Sequence, residues 1–577
     1  MAEMRVWAPD AGLVELESAG SRVKMDRTEN GWWTVDAPFI RHGVDYAYYV
    51  DGEGPLPDPR SAWQPEGVHG PSRWVEHSRF TWTDAGWQQP PLGSAVIYEL
   101  HVGTFTPEGT FDSAIGRLDH LVELGITHVE LMPVAEFSGL RGWGYDGVDL
   151  YAPHHAYGGP DGLKRLVDAC HKRGLAVMLD VVYNHLGPCG NYLQRFGPYF
   201  TARYQTPWGE AVNLDGPESD EVRRFLIDNA LMWLRDYRFD GLRIDAIHAI
   251  IDISAIHFLE QLAVEVDDLE VELGRHLVLI AESDLNDPRV IRSREQGGYG
   301  IDAQWNEDFH HALHSVLTGE RDGYYHDFGT LADLAKVLTE GLTYDGRYSP
   351  YRRRRHGRSA ADLSGHRFVG CLQNHDQVGN RALGERTSHL LSPGQLKIGA
   401  TLVMTSPFVP MLFQGEEWGA MPPFLYFTNH QDAELGEAVR RGRQHEFAEF
   451  GWNSEEIPDP QAEESCQRSK LDWEEPLKEP HRDLLQWHRS LISLRCRTRC
   501  LTSGYLGNTT IDFDEDARWL VMRRGSAVIA CNFAESAQSI VCPAFLGRSI
   551  VLGSENSIEV EGEEVFLPGH TAAILLD

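Results

Sequence analysis

Three carboxylates at the ends of short apolar runs are the residues of this sequence best placed to do chemistry. Asp245 closes the run within Phe239–His248, Phe-Asp-Gly-Leu-Arg-Ile-Asp-Ala-Ile-His. Glu282 closes Leu-Ile-Ala-Glu-Ser, and Asp376 lies in Leu-Gln-Asn-His-Asp-Gln. Phe239, Leu242 and Ile244 anchor the first segment, while Arg243 and Asp245, two apart, share one face of a strand. Unpaired charge in an apolar element is costly, so an internal Arg–Asp ion pair is the plain reading of that stretch alone. Two further runs ending in carboxylates change the reading. Like charges gathered in one funnel raise at least one pKa, keeping one carboxyl protonated while another is ionised. Glycoside hydrolysis needs that pair: an acid for the departing oxygen and a carboxylate beneath the anomeric carbon. Leu-Asp-Val-Val-Tyr-Asn-His adds Asp180, Asn184 and His185 at the same rim, and Asn374 and His375 accompany Asp376.

Metal chemistry competes for the same residue types. A metal-dependent hydrolase on a barrel calls for His-x-His at the end of strand one, where Tyr-Glu-Leu-His-Val-Gly offers only His101. His154-His155 and His310-His311 are adjacent pairs, which point opposite ways in extended chain. There is no His-Glu-x-x-His helix and no glycine-rich phosphate loop. The expectation is therefore no cofactor and no metal ligands.

The elements that must hold these residues follow from the rhythm of the chain. Residues 1–85 carry short runs (Val6-Trp7, Trp32-Trp33, Tyr46–Val50) between Gly and Asp turns, which predicts an N-terminal β-sandwich. Gly86–Ser94, with Gln-Gln-Pro-Pro, reads as a linker. From residue 95, apolar runs alternate with helical periods such as Asp112–Leu124, Asp161–Arg173 and Glu218–Arg235. Strands are expected at Val96–Leu100, His128–Met132, Ala176–Val182, Gly241–Ile244, Val278–Ala281, Ala303–Trp305, Phe368–Leu372 and Met411–Phe413. Eight strands predict a central (β/α)8 barrel over 95–495, with insertions near 186–217 and 345–366. Strands return after residue 500, predicting a C-terminal antiparallel β-sandwich over 500–577 and a multidomain α/β and β chain.

Composition excludes whole classes. The chain has 577 residues and a formal charge of −34, so nucleic acid and anionic membranes are not expected partners. The one basic run, Arg352–Arg355, lies among polar loop residues and reads as solvated. No apolar stretch approaches the length of a membrane span, and the N-terminus lacks the pattern of an export signal. With eight scattered cysteines, a cytoplasmic location with reduced thiols is expected.

Four segments, 180–185, 241–246, 281–283 and 374–377, resemble in order and spacing the signature regions of the α-amylase superfamily of retaining glycoside hydrolases. The resemblance covers about residues 95–420. It implies Asp245 as nucleophile, Glu282 as general acid/base and Asp376 as the carboxylate that holds and distorts the substrate. Arg243 would keep Asp245 ionised, His185 and His375 would bond the sugar, and Tyr145 of Trp-Gly-Tyr-Asp would stack on it. Asn374 and Gln377 belong to the same segment and are candidate substrate ligands. Within the superfamily the chain is most similar to enzymes that cut the α-1,4 bond joining a maltooligosaccharide to terminal trehalose. Supporting pieces are residues 98–111, Arg-Gly-Trp-Gly-Tyr-Asp-Gly (141–147), Asp-Ala-Ile-His-Ala-Ile (245–250), Asn-Glu-Asp-Phe-His-His (306–311) and Phe-Gln-Gly-Glu-Glu-Trp (413–418). The implied partners are maltooligosyltrehalose and related α-1,4-glucans, with His248, Asp308 and His311 as candidate contacts. The alternatives are a branching enzyme, against which Gln377 in place of Glu counts, and a plain α-amylase or debranching hydrolase. Amylases usually carry calcium beside strand three, but Asp180 and Asn184 alone do not make that site. A dead, non-enzymatic barrel would lack a carboxylate, and none is missing.

Overall fold

The computed structural model describes residues 3–448 and 457–577. At its centre lies a closed barrel of eight parallel strands, Ile97–Leu100, His128–Leu131, Ala176–Val181, Gly241–Ile244, Val278–Ala281, Ala303–Trp305, Phe368–Gly370 and Val409–Phe413. Every residue of these strands is buried, because helices cover the outside and side chains fill the inside. The expected strands therefore all form, and none differs by more than two residues at either end. The interior is unusually polar. Glu99 pairs in register with Glu130, and Asp180 with Arg243, so charged side chains from neighbouring strands meet on the barrel axis. Glu130 has no hydrogen-bond partner; burial and then the charge of Glu99 push its pKa far up, so it sits there as a neutral acid.

Three local expectations change. The helix foreseen over Asp112–Leu124 breaks into Phe111–Ile115 and Leu118–Leu124. Gly116 at the break costs a helix about 1 kcal/mol relative to Ala, and the split still buries Leu118, Leu121 and Leu124. The excursion after strand three contains a hairpin, Phe200–Thr206 with Gly209–Val212. Its first strand buries neither face, so no two-residue hydrophobic period announces it. A second hairpin, Asp345–Ser349 with Arg354–Gly357, occupies the insertion before strand seven.

Flanking sheets brace this barrel. The N-terminal strands form two antiparallel sheets, and Trp7 and Tyr48 pack edge-on against Tyr199 and Phe196 of the strand-three excursion. The segment read as a linker is clamped instead. Trp87 Nε1 donates to Asp240 Oδ1 at 2.8 Å and Gln89 Nε2 to Asp240 O at 2.9 Å, just before strand four. Beyond residue 500 a five-stranded and a three-stranded antiparallel sheet enclose a core of their own. Buried Arg524 donates to the carbonyls of Thr405 and Ser406, tying this unit to the barrel, and Arg495, on the helix just before it, donates to those of Met404 and Phe408. No helix among the described residues is long and apolar enough to cross a membrane, and all eight cysteines are free. His154 and His155, expected to diverge, both face Glu136.

Candidate active site

Arg243 on strand four organises the barrel mouth. Its guanidinium is fully buried and lies 4.0 Å over the Trp305 ring. Nη1 donates to both Asp180 oxygens at 2.8 Å and to Asp245 Oδ1 at 2.8 Å. Nη2 lies 2.9 Å from Glu282 Oε2, off the N–H direction, so that contact is an ion pair rather than a hydrogen bond. One guanidinium thus fixes the carboxylates that end strands four and five. Between them the chain turns at Ala246, whose φ of 38° is a left-handed conformation that non-glycine residues rarely adopt. Such strain is tolerated where the surroundings enforce it. Here the turn aims the Ala246 N–H at Glu282 Oε2, 2.7 Å away.

Asp376 closes the group from strand seven. It is the most open of the three, with a side chain 35% exposed, and its Oδ1 lies 3.4 Å from His375 Nε2. His375 Nδ1 is bonded to Glu99 of strand one. Burial alone would depress His375, but the charges of Asp376 and Glu99 outweigh it and lift the imidazole to about 9. Tyr145 stacks on His375 with centroids 5.1 Å apart. Its hydroxyl donates to Asp180 at 2.6 Å and lies 2.7 Å from His375 Nε2. With the hydroxyl committed, the ring is what Tyr145 offers a ligand.

The electrostatics separate the carboxyl groups from ordinary surface acids. Burial, then the charges of Asp180 and Asp376, raise Asp245 to about 6 against the pull of Arg243. Glu282 is raised as well, by burial first and then the charge of Asp245, with Arg243 and the Ala246 N–H opposing. Acids that interact this closely release their protons in successive steps that belong to the pair. His185 is held down to about 4 by burial, hence neutral, and is stacked at 4.6 Å on Trp208, the exposed tip of the strand-three hairpin.

Other expected ligands fall elsewhere. Asn374 and Gln377 commit their side-chain oxygens to the backbone of their own segment. Asn374 Oδ1 accepts from the Asp376 and Gln377 N–H groups, and Gln377 Oε1 accepts the Asn374 N–H at 2.9 Å. That capping box orients Asp376 and commits one oxygen of each side chain to backbone, while their amide nitrogens take no part in it. Asp308 is buried and its Oδ2 accepts the N–H groups of Thr343 and Tyr344 at 2.7 and 3.0 Å, a backbone anchor. It and His311 line one cavity, with Ser283, Trp305, Tyr351 and Arg352. His311, depressed to about 3 by burial, is neutral there. His248 is exposed at the edge, 4.0 Å from Asp284.

Sequence reasoning missed several contributors. Arg352, read as solvated, reaches inward to Asp284 at 3.1 Å, while Arg353, Arg354 and Arg355 do stay exposed. Trp208, Glu99 and Asp284 carry no motif of their own. A glutamate inside the apolar strand Ile97–Leu100 was the one available signal. Asp180, committed to Arg243 and Tyr145, is not free to act as a calcium ligand.

A closed parallel barrel with acidic side chains converging at its carboxyl-terminal mouth is an arrangement that glycoside hydrolases of the α-amylase class share. The family model for the alpha amylase catalytic domain matches residues 74–205, and a domain of unknown function, DUF3459, matches residues 505–574. A malto-oligosyltrehalose trehalohydrolase from Rhizobium sp. (strain M-11) is 50% identical over 99% of this chain and 97% of its own. That of Saccharolobus solfataricus is 44% identical over 96% of this chain and 94% of its own. This chain belongs to the malto-oligosyltrehalose trehalohydrolase family. The crystal structure of a Salmonella typhimurium protein described as an alpha amylase superposes with a TM-score of 0.92 at 38% identity, covering 100% of this chain and 97% of that one. A Paenibacillus barengoltzii pullulanase at 20% identity and a TM-score of 0.73 shares the fold. A branching enzyme from Pseudoalteromonas atlantica matches over only 56% of this chain.

Proposed function

We propose that this enzyme hydrolyses the α-1,4-glucosidic bond next to the terminal trehalose unit of maltooligosyltrehalose, releasing trehalose and a maltooligosaccharide with retained configuration. The observation that carries the chemistry is the pair Asp245 and Glu282 held by one buried guanidinium. In the first step Glu282, protonated, donates its proton to the departing glycosidic oxygen as Asp245 attacks the anomeric carbon. The bond to trehalose breaks and an ester to Asp245 forms. In the second step Glu282, now ionised, takes a proton from water, whose oxygen displaces Asp245 and regenerates both groups. Two inversions at one carbon give net retention. Asp376, the most exposed carboxylate, bonds sugar hydroxyls beside the cleaved bond, and the Tyr145 ring supports the sugar face.

Full-length similarity to the named trehalohydrolases supports the substrate. The half-length match and the Gln377 position weigh against branching. Incubation with maltotriosyltrehalose is expected to give maltotriose and trehalose, with much slower cleavage of maltopentaose. Equal turnover of both, or new α-1,6 linkages, would overturn this assignment.

The raised carboxyls also set the pH response. Asp245 must be ionised to attack, and its folded pKa of about 6 lies above the usual aspartate range. Activity is therefore expected to be present above that value and to fall, about tenfold per pH unit, as pH drops through it. Loss on the alkaline side reports the proton on Glu282. A kcat/KM profile flat down to the ordinary carboxylate range would contradict the burial of Asp245.

A further inference from the structure

Outside the carboxylate funnel, one buried cluster holds more donors than its protons can satisfy. We propose that Glu136, His154 and His155 form a binding site for a divalent transition-metal cation of the zinc type, with a structural role.

The antiparallel pair Ala135–Phe137 and Gly147–Pro153 brings the three together, Glu136 on the outgoing strand and both histidines directly after the returning one. One ligand atom from each lies within 4.8 Å of the other two. His155 Nδ1 is 2.7 Å and His154 Nδ1 3.2 Å from the same Glu136 oxygen, Oε1. Oε2 is held by the His155 N–H at 2.8 Å, which orients the carboxylate and leaves Oε1 to the imidazoles. The extended-chain argument that adjacent histidines diverge fails here because a 3-10 turn, His155–Tyr157, begins immediately after His154.

Two observations separate this from an ordinary ion pair. Glu136 is wholly buried, yet its ion-pair partners among the described residues are imidazoles alone. His154 is also wholly buried, and neither of its ring nitrogens has a hydrogen-bond partner. Its Nδ1 lies near Oε1 but off the direction an N–H bond would need. Buried groups in that condition are rare and costly. A single proton satisfies His155 and Glu136 and leaves His154 unmet, whereas a dication satisfies all three. Two imidazole nitrogens and one carboxylate oxygen suit zinc, and the partly exposed edge of His155 gives an entry path. Calcium and magnesium prefer all-oxygen sets.

The site would pin both ends of the 138–146 segment that carries Trp143 and Tyr145. Phe137 stacks on His154 at 3.8 Å, and His101 and Tyr157 both bond the Gly142 carbonyl. No step of the proposed reaction passes through it.

The test is metal content of the full-length protein after incubation with zinc chloride and gel filtration. About one zinc per chain is expected, falling below about a tenth in His155→Gln, whose partly exposed side chain can be exchanged with the fold intact by circular dichroism. Glu136→Gln should behave alike. Zinc should raise the melting temperature of wild type over an EDTA-treated sample and leave that of His155→Gln unchanged. Cobalt(II) in place of zinc should give visible ligand-field bands in wild type alone. Wild type that holds no zinc, or variants that hold as much as wild type, would overturn the proposal.

Discussion

Replacing Asp245 by Asn should lower kcat/KM about 10⁴-fold or more, the scale on which removal of a covalent nucleophile acts. The amide keeps the size of the side chain and an oxygen for Arg243 Nη1, 2.8 Å away in the parent, so the fold should survive and the loss reports chemistry. Glu282→Gln should keep substrate binding and lose about 10²- to 10⁴-fold, the range of general acid–base catalysis. The two roles come apart with a glycosyl fluoride, whose leaving group needs no proton. Its first step should be largely restored in Glu282→Gln and remain absent in Asp245→Asn. Single-turnover kinetics of both variants with both substrates decides this. Near-parental turnover in either variant would remove that residue from its role.

Arg243→Gln should be the most damaging single change to the framework. The parent guanidinium faces Asp180, Asp245 and Glu282, all largely buried. Removing one partner of a buried ionic group costs about 3–5 kcal/mol, because the charges left behind have no compensation. The acids can escape part of that cost by taking up protons. Arg243 lowers the pKa of Asp245 and of Glu282, so its loss should move the acidic limb of the activity profile above about 6 and leave Asp245 protonated near neutrality. Denaturant unfolding and a kcat/KM profile on the same variant test both effects. Unchanged stability with an unmoved acidic limb would mean that the three carboxylates are held by something else.

Several parts of this arrangement were legible in the primary chain because they are local. Runs such as Gly241–Ile244 and Val278–Ala281 are short, wholly buried strands whose bounds follow from where apolar residues begin and stop. A carboxylate at the end of a buried parallel strand has one place to point, the barrel mouth. Hairpins whose faces are both partly exposed left no such trace, which is why Phe200–Thr206 and its tip Trp208 went unseen. Arg352 was misread for the converse reason. Its neighbours Arg353, Arg354 and Arg355 are exposed and polar, and nothing local distinguishes the one arginine that folds back to Asp284.

The order of the residues was therefore enough for the barrel, for the acids at its strand ends and for Arg243 two positions before Asp245, since strand periodicity operates over a few residues. Which polar side chains are spent on one another was decided only by tertiary contact. Asp308 anchors a loop, and Glu136 gathers two histidines that extended chain would separate. The physical reason is reach. A side chain bonds whatever packing brings within about 3 Å, and packing joins segments far apart in the chain, as with His375 and Glu99.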